Sequence, residues 1–424
     1  MQPTEDSDVM QVFFVRPALW LGLMLATPAL WAGTERAPGP LSALAAEVLR
    51  THPRAEAARE ALAAARARLR AASRAVYNPE LELETEEAGG VRTSTVQLSQ
   101  SIDLGDRRGA RTREAQALLE AAEATASHQL QALARDLLAS LAAHDTAAAL
   151  ARLAQRRLDL MHEFARVAEE RAAAGDLGPA ELNLARLALN EAVVTAASAR
   201  ADALEAREQL RTLLDPLPRR LPSLDADLPE ARLPEDVDAF LLQVPRVRAV
   251  RARVEAAQGT VQLREAERAW DPTIALRGGK EGEESLTGIV VTLPLNVRNT
   301  FSAEVDAARA EYLQAEKEAA QAYRLARAQL ISVAERYRLT RRAWRDWRRT
   351  GQTSIRSQLA LLERLWRAGD MSTADYLVQV QQTLDTRAAG IELRGRLWRA
   401  WADWLLATGR ILTWLDIAQT TGRN

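Results

Sequence analysis

Arg171-Ala-Ala-Ala-Gly175-Asp176 and Arg367-Ala-Gly369-Asp370 are two copies of one signal, a basic residue and small residues closing on Gly-Asp. Each closes a long stretch of helical composition. From Arg107 to about Ala173 there is no Pro, and the one Gly is Gly109 near the start. Leu130, Leu133, Leu137 and Leu141 keep the three-and-four spacing of a narrow apolar seam. At ~1.5 Å per residue such a helix is roughly 100 Å long, which no compact globule needs. The second copy runs from about Ser302 to Arg367, with an interruption expected at Gly351. Gly suits the left-handed residue that ends a helix. After each Gly-Asp a returning helix is predicted, about Pro179 to Leu214 and about Thr373 to Thr408. Pro179 is well placed in a first turn, where its missing N–H costs nothing.

The duplication extends outward in register. Pro53 and Pro245 are 192 residues apart, Pro79 and Pro272 are 193 apart, and Gly175 and Gly369 are 194 apart. Near-constant offsets at three landmarks mark an internal repeat. Each half opens with a predicted helix, about 41–76 and about 236–269. A strand pair follows. Leu81-Glu-Leu-Glu-Thr85 and Thr95-Val-Gln-Leu-Ser-Gln100 alternate with period two, and Gly89–Gly90 supply the turn. The second pair is Thr273-Ile-Ala-Leu-Arg277 and Gly288-Ile-Val-Val-Thr-Leu293, with Gly278–Gly279 and Gly282 expected between them. The organisation predicted is therefore a first repeat over 33–215 (hairpin about 80–103, helix pair about 107–214) and a second over 236–410 (hairpin about 273–296, helix pair about 302–408). Between them, 216–235 carries Pro216, Pro218, Pro222, Pro229 and Pro234, which forbid a regular helix. Leu217, Leu221, Leu224 and Leu228 make this connector a packed, extended one. Residues 411–424 form a tail.

The N-terminus reads as a secretory signal over 1–32: Arg16, then the apolar run Ala18–Ala26, then small residues with cleavage expected at Ala32–Gly33. The acidic stretch before Met10 suggests Met10 as an alternative start. No other stretch approaches the ~18–20 apolar residues of a spanning helix. With no Cys, neither disulfides nor a lipid on Cys is available. The formal charge of −1, with Arg and Glu interleaved, gives no reason to expect nucleic acid as a partner.

Four strands cannot close a barrel alone, and an open sheet in lipid exposes unpaired backbone groups at several kcal/mol each, so closure requires several chains. With one apolar and one polar face per strand, a closed barrel faces lipid outside and holds Glu82, Glu84 and Glu86 inside. The fold class expected is mainly α with a small membrane β-barrel, built from two tandem repeats of helix, β-hairpin, long helix, turn and helix.

Asn78-Pro-Glu-Leu-Glu-Leu-Glu84, Leu98-Ser-Gln-Ser-Ile-Asp-Leu-Gly105, Arg107-Arg-Gly-Ala-Arg111, Asp271–Pro272 and Thr292-Leu-Pro-Leu295 together resemble the outer-membrane factor family, the TolC-like channels, and more closely its heavy-metal efflux (CzcC-like) branch. The resemblance implies a homotrimer with a twelve-stranded barrel in outer-membrane lipids and a helical tunnel across the periplasm. It also implies two partners, a periplasmic adaptor and an inner-membrane pump of the resistance-nodulation-division type, and no cofactor. An acidic residue six positions after the second tip glycine helps form the family's periplasmic constriction. Here that is Asp375, and Glu181 corresponds in the first repeat. A second acidic position found in some members is Val378 here, and an Arg found in others is Met371, so the gating contacts differ in detail. The tips, Gly175, Asp176, Leu177, Gly369, Asp370 and Met371, are where the resemblance puts adaptor docking.

Seven of the ten Trp lie between Trp344 and Trp414. Trp398, Trp401 and Trp404 share one side of the last helix and are expected to pack against the connector rather than form a membrane belt. His128, His144 and His162, spaced by 16 and 18 residues on one helix, cannot reach one ion, so no metal site is expected. No phosphate loop or nucleophile motif points to an enzyme, and Leu104-Gly-Asp-Arg-Arg-Gly109 reads as a strand exit and helix start. The cargo implied by the resemblance to the heavy-metal branch is divalent heavy-metal cations. The same duct could instead serve multidrug efflux or type I protein secretion. A periplasmic adaptor is the rival of another class, although adaptors usually carry one helical hairpin beside β-rich domains.

Overall fold

The computed structural model describes residues 36–224 and 227–417, with only the helical backbone described for 350–357. The expected signal over 1–32 and residues 418–424 of the tail lie outside them. Helices α1 (Gly39–Thr51) and α2 (Pro53–Ala72) lead to strands β1 (Glu80–Ala88) and β2 (Val91–Ser101). Long helix α3 (Arg107–Ala173) and returning helix α4 (Pro179–Arg211) complete the first half. The second half repeats the order with α5 (Val237–Leu241), α6 (Pro245–Ala266), β3 (Thr273–Glu281), β4 (Glu284–Thr292), α7 (Ser302–Ala368) and α8 (Thr373–Ala407), then a short α9 (Ile411–Trp414). The chain forms two compact units. One comprises Glu56–Gln129 and Asp236–Arg327, the other Leu130–Glu235, Ala328 onward and the segment up to Ala55.

Several sequence expectations need correction. The predicted helices 41–76 and 236–269 are each broken. His52 and Val244 are extended because a proline follows, and the helix restarts at Pro53 and at Pro245. Gly351 does not interrupt α7, since one Gly costs only about 1 kcal/mol in a helix and 67 residues absorb it. Gly278 and Gly279 are not in a turn. They lie inside β3 opposite Val96 and Thr95, and Gly282, at φ +60°, makes the turn instead. Both hairpins run further toward their turns than the apolar alternation did, through mainly polar residues broken by Ala88, Val91 and Leu286.

The strand unit holds one antiparallel sheet in the order β1-β2-β3-β4. The β2–β3 pairing, from Thr93↔Glu281 to Ser101↔Thr273, joins the hairpins of the two repeats. At the foot of the sheet one cluster fixes this junction. The Asp271 carboxylate, 5% exposed, accepts from the Tyr77 hydroxyl at 2.8 Å and from the Leu104 N–H at 3.2 Å, and lies 3.1 Å from Arg107 Nε. That last contact is ionic, since Nε is not aligned for a hydrogen bond. Arg107 also donates to Tyr77 Oη and to the Glu267 and Ala269 carbonyls. Burial and the hydrogen bond to Asp271 hold the Tyr77 hydroxyl above its ordinary pKa.

In the other unit Leu133, Leu137 and Leu141 of the expected seam are buried. The connector is a packed strap. The Trp398 indole donates to the Leu224 carbonyl, the Tyr337 hydroxyl to the Pro229 carbonyl, and Arg341 Nε to the Leu228 carbonyl at 2.8 Å. Trp398, Trp401 and Trp404 are buried, and Trp414 lies 6.3 and 5.8 Å from the first two rings. Burial pushes the Tyr337 hydroxyl far up, as expected for a hydroxyl locked against the strap.

Breaking the Asp271 cluster strands a partly buried guanidinium. Asp271→Ala is expected to cost about 3 kcal/mol in denaturant unfolding, and Asp271→Asn, which keeps an acceptor for Tyr77, distinctly less.

Candidate functional site

The strand register sorts the side chains by face. Leu81, Leu98, Leu276 and Ile289 form one cross-strand row, flanked by Leu83 and Val96 on one side and by Ile274 and Val291 on the other. All eight are exposed, Leu83 at 72% and Ile289 at 71%. The opposite face carries Glu82 beside Gln97 and Arg277, then Glu84 beside Thr95, then Glu86 in one row with Thr93, Glu281 and Glu284. Gln97 donates to Glu82 at 3.2 Å and Thr95 to Glu84 at 3.3 Å. The three predicted carboxylates thus share one polar face. Sequence reading missed Arg277, whose guanidinium donates to Glu84 at 2.8 Å. Its signal was the parity of β3, which sets it opposite Gln97.

Among the described residues β1 and β4 each pair on one side only. A row of backbone donors and acceptors is left at both sheet edges. No described helix is long and apolar enough to cross a membrane.

The two tips close alike. Gly175 and Gly369 have φ of +84° and +82°. Asp176 N–H donates to the Arg171 carbonyl at 2.9 Å and Asp370 N–H to the Leu365 carbonyl at 3.0 Å, the six-to-one bond of a Schellman end. Asp176 and Asp370 are exposed beside them. Leu177 is not exposed: at 8% it closes the tip core, against which Met371 packs half-buried.

Glu181 and Asp375 sit at matching positions in the first turns of α4 and α8. The Gly178 N–H donates to Glu181 Oε2 at 3.3 Å. The Ser372 hydroxyl accepts from the Asp375 N–H at 3.1 Å and donates to Asp375 Oδ2 at 2.7 Å. Glu181 thus completes a capping box at the start of α4, whereas at α8 the Ser372 side chain takes the free N–H and Asp375 holds its hydroxyl.

An aromatic cluster holds the helices just behind the tips. Phe164 of α3, Trp366 of α7 and Tyr376 of α8 lie with ring centroids 4.6, 5.2 and 5.0 Å apart, all buried. It ties the long helix of the first repeat to both helices of the second. Burial, aided by the Glu363 charge, pushes the Tyr376 hydroxyl up to about 12. Sequence reading missed this cluster. Trp366, three residues before Gly369, was its one visible sign. Among the described residues no group of three His, Asp or Glu side chains is arranged to hold a metal ion.

No family model matches the chain. The cobalt-zinc-cadmium resistance protein CzcC of Cupriavidus metallidurans is 29% identical to it over 255 residues, 57% of this chain and 61% of that protein. The matched stretch is thus less than two thirds of the curated relative's length. Among solved structures, CusC superposes with a TM-score of 0.76 at 16% identity, covering 93% of this chain and 98% of that one. The Campylobacter jejuni outer membrane channel CmeC gives 0.75 at 15%, covering 88% and 86%. The Vibrio cholerae outer membrane protein VceC gives 0.70 at 17%, covering 87% and 96%. The chain has the fold of the outer-membrane factors, as residues 78–111 and their repeat led one to expect.

Proposed function

We propose that this protein is an outer-membrane channel and the passive exit duct of a tripartite efflux system. The observation that carries the reading is the sheet: one face exposes eight aliphatic side chains, the other is acidic and hydrogen-bonded, and both edges are open. Lipid suits the first face, a wet lumen suits the second, and neighbouring copies satisfy the edges. Three copies give twelve strands, and the long helices continue the channel as a tunnel in the periplasm. The duct does no chemistry. An inner-membrane pump supplies the energy, and a periplasmic adaptor meets the tips at Gly175, Asp176, Gly369 and Asp370.

The cargo is divalent heavy-metal cations. Sequence identity to a cobalt-zinc-cadmium resistance protein supports this. So does the lining, since Glu82, Glu84 and Glu86 repeated around a barrel favour cations, with Arg277 offsetting part of the charge at Glu84. Asp375 and Glu181 add carboxylates at the closing end of the tunnel.

Membrane fractionation and sedimentation of the detergent-extracted protein test the duct. A trimer in the outer-membrane fraction is expected, and a soluble monomer or an inner-membrane location would sink the reading. Ile289→Arg places a charge on the lipid face at about 2–4 kcal/mol near the midplane, and outer-membrane trimer is expected to fall several-fold, while Thr93→Arg on the polar face spares assembly. In planar bilayers Asp375→Asn is expected to weaken block by divalent cations several-fold; unchanged block assigns Asp375 to helix capping alone. Deletion of the gene followed by growth on zinc, cobalt, cadmium or copper tests the cargo. Metal sensitivity is expected, whereas unchanged metal tolerance with raised drug sensitivity would transfer the duct to drug efflux.

A further inference from the structure

One face of α7 beside the connector carries a concentration of like charge that nothing in the duct reading uses. Arg338, Arg341, Arg342, Arg345, Arg348 and Arg349 crowd one stripe of the helix, each with another of them three or four residues away. With Asp227, Glu230 and Asp346 they line a cavity of about 570 Å³ whose inner wall is the buried Tyr337. Like charges at that spacing on a helix repel, each pair by a few tenths of a kcal/mol. Partners offset some of it. Arg338 pairs with Glu335 at 2.8 Å, Arg349 pairs with Asp346, and Arg348 lies 3.9 Å from Asp227. Arg341 is spent on the Leu228 carbonyl. Glu230 is drawn to Arg232 at 3.7 Å. Arg342 and Arg345 have no hydrogen-bond or ion-pair partner among the described residues. The cavity sets six guanidiniums against three carboxylates.

The wall behind this face is rigid. Trp344 and Trp347 stack at 5.6 Å, nearly parallel, and Trp347 lies against Gly390 of α8 so closely that a methyl group there would overlap its ring. The strap is fastened by Tyr337 and Arg341. Two free guanidiniums one helical turn apart, over a fixed floor, form a ready fork for an oxyanion.

We propose that this cavity is a binding site for a phosphate-class oxyanion, gripped by Arg342 and Arg345. The ligand is a free di- or oligophosphate or the phosphate of an anionic lipid headgroup. The site is independent of the cargo route: it rests on α7 and the connector alone, and it stands whether or not the duct carries metal.

The test titrates detergent-extracted full-length protein with pyrophosphate by calorimetry, against chloride at matched ionic strength. In parallel, protein is captured on nanodiscs of phosphatidylglycerol and of phosphatidylcholine. The wild type is compared with an Arg342→Ala/Arg345→Ala double variant and with Arg248→Ala, an exposed arginine elsewhere. Both replaced side chains are exposed and Ala favours helix, so the double variant is expected to fold, with thermal unfolding as the check. Pyrophosphate binding that weakens at least about tenfold in the double variant, and not in Arg248→Ala, supports the site with a free ligand. Preference for phosphatidylglycerol with the same loss supports it with a lipid headgroup. Binding of neither probe beyond its control, or binding unchanged in the double variant, overturns it.

Discussion

In the proposed channel, an open sheet edge in a medium without water is the constraint on which the rest of the molecule depends. Each unpaired backbone N–H or C=O on β1 and β4 costs several kcal/mol in hydrocarbon, and the described residues offer no further strand to cover it. The apolar face composed of Leu81, Leu83, Val96, Leu98, Ile274, Leu276, Ile289 and Val291 makes the same demand from another direction, because side chains so exposed need a cover of matching chemistry. The proposed duct answers both: copies pair edge to edge and lipid covers the outer face. The polar face is then turned inward by the alternation of the strands, without any further instruction.

Duplication explains how so short a sheet is positioned. Each repeat supplies a hairpin and a long helix, and the repeats are locked together at three places by different physics. Main-chain pairing of β2 with β3 does it in the sheet. The Asp271, Arg107 and Tyr77 cluster does it at the strand feet, where one buried carboxylate from the second repeat takes partners from the first. Phe164, Trp366 and Tyr376 do it by ring stacking near the tips. Polar locking at one place and apolar locking at another resist different stresses, since ionic contacts depend on exclusion of water and stacked rings on packing alone.

The repeat, the long helices and the tip turns were legible because each rests on a local rule: a Gly at a helix end, freedom from Pro, a period of two. The breaks at His52–Pro53 and Val244–Pro245 were legible too, and were overlooked because helical composition continues on both sides of each proline. What local rules do not carry is choice among glycines. Gly278, Gly279 and Gly282 look alike in sequence, and only register with β2 decides that the first two sit opposite Val96 and Thr95 while the third turns. The face of Arg277 and the meeting of Phe164 with Trp366 and Tyr376 are of the same kind, products of partners distant in sequence.

Asp375 and Glu181 show how one residue can satisfy two demands. A helix start needs acceptors for its free N–H groups; Glu181 supplies one in the first repeat, and in the second Ser372 Oγ supplies it while Asp375 holds that hydroxyl. That requirement alone accounts for a carboxylate at matching places, so the match is no independent argument for a gate. The cap, however, uses little of the carboxylate. Asp375 Oδ2 takes the Ser372 hydroxyl, and among the described residues its other oxygen has no comparable duty at the helix start. The helix N-terminus also favours negative charge there, by roughly 0.3–1 kcal/mol. Folding thus places a negative charge early in each returning helix, exposed at Asp375 and half-buried at Glu181, and in the proposed trimer a ring of such charges needs nothing beyond its symmetry.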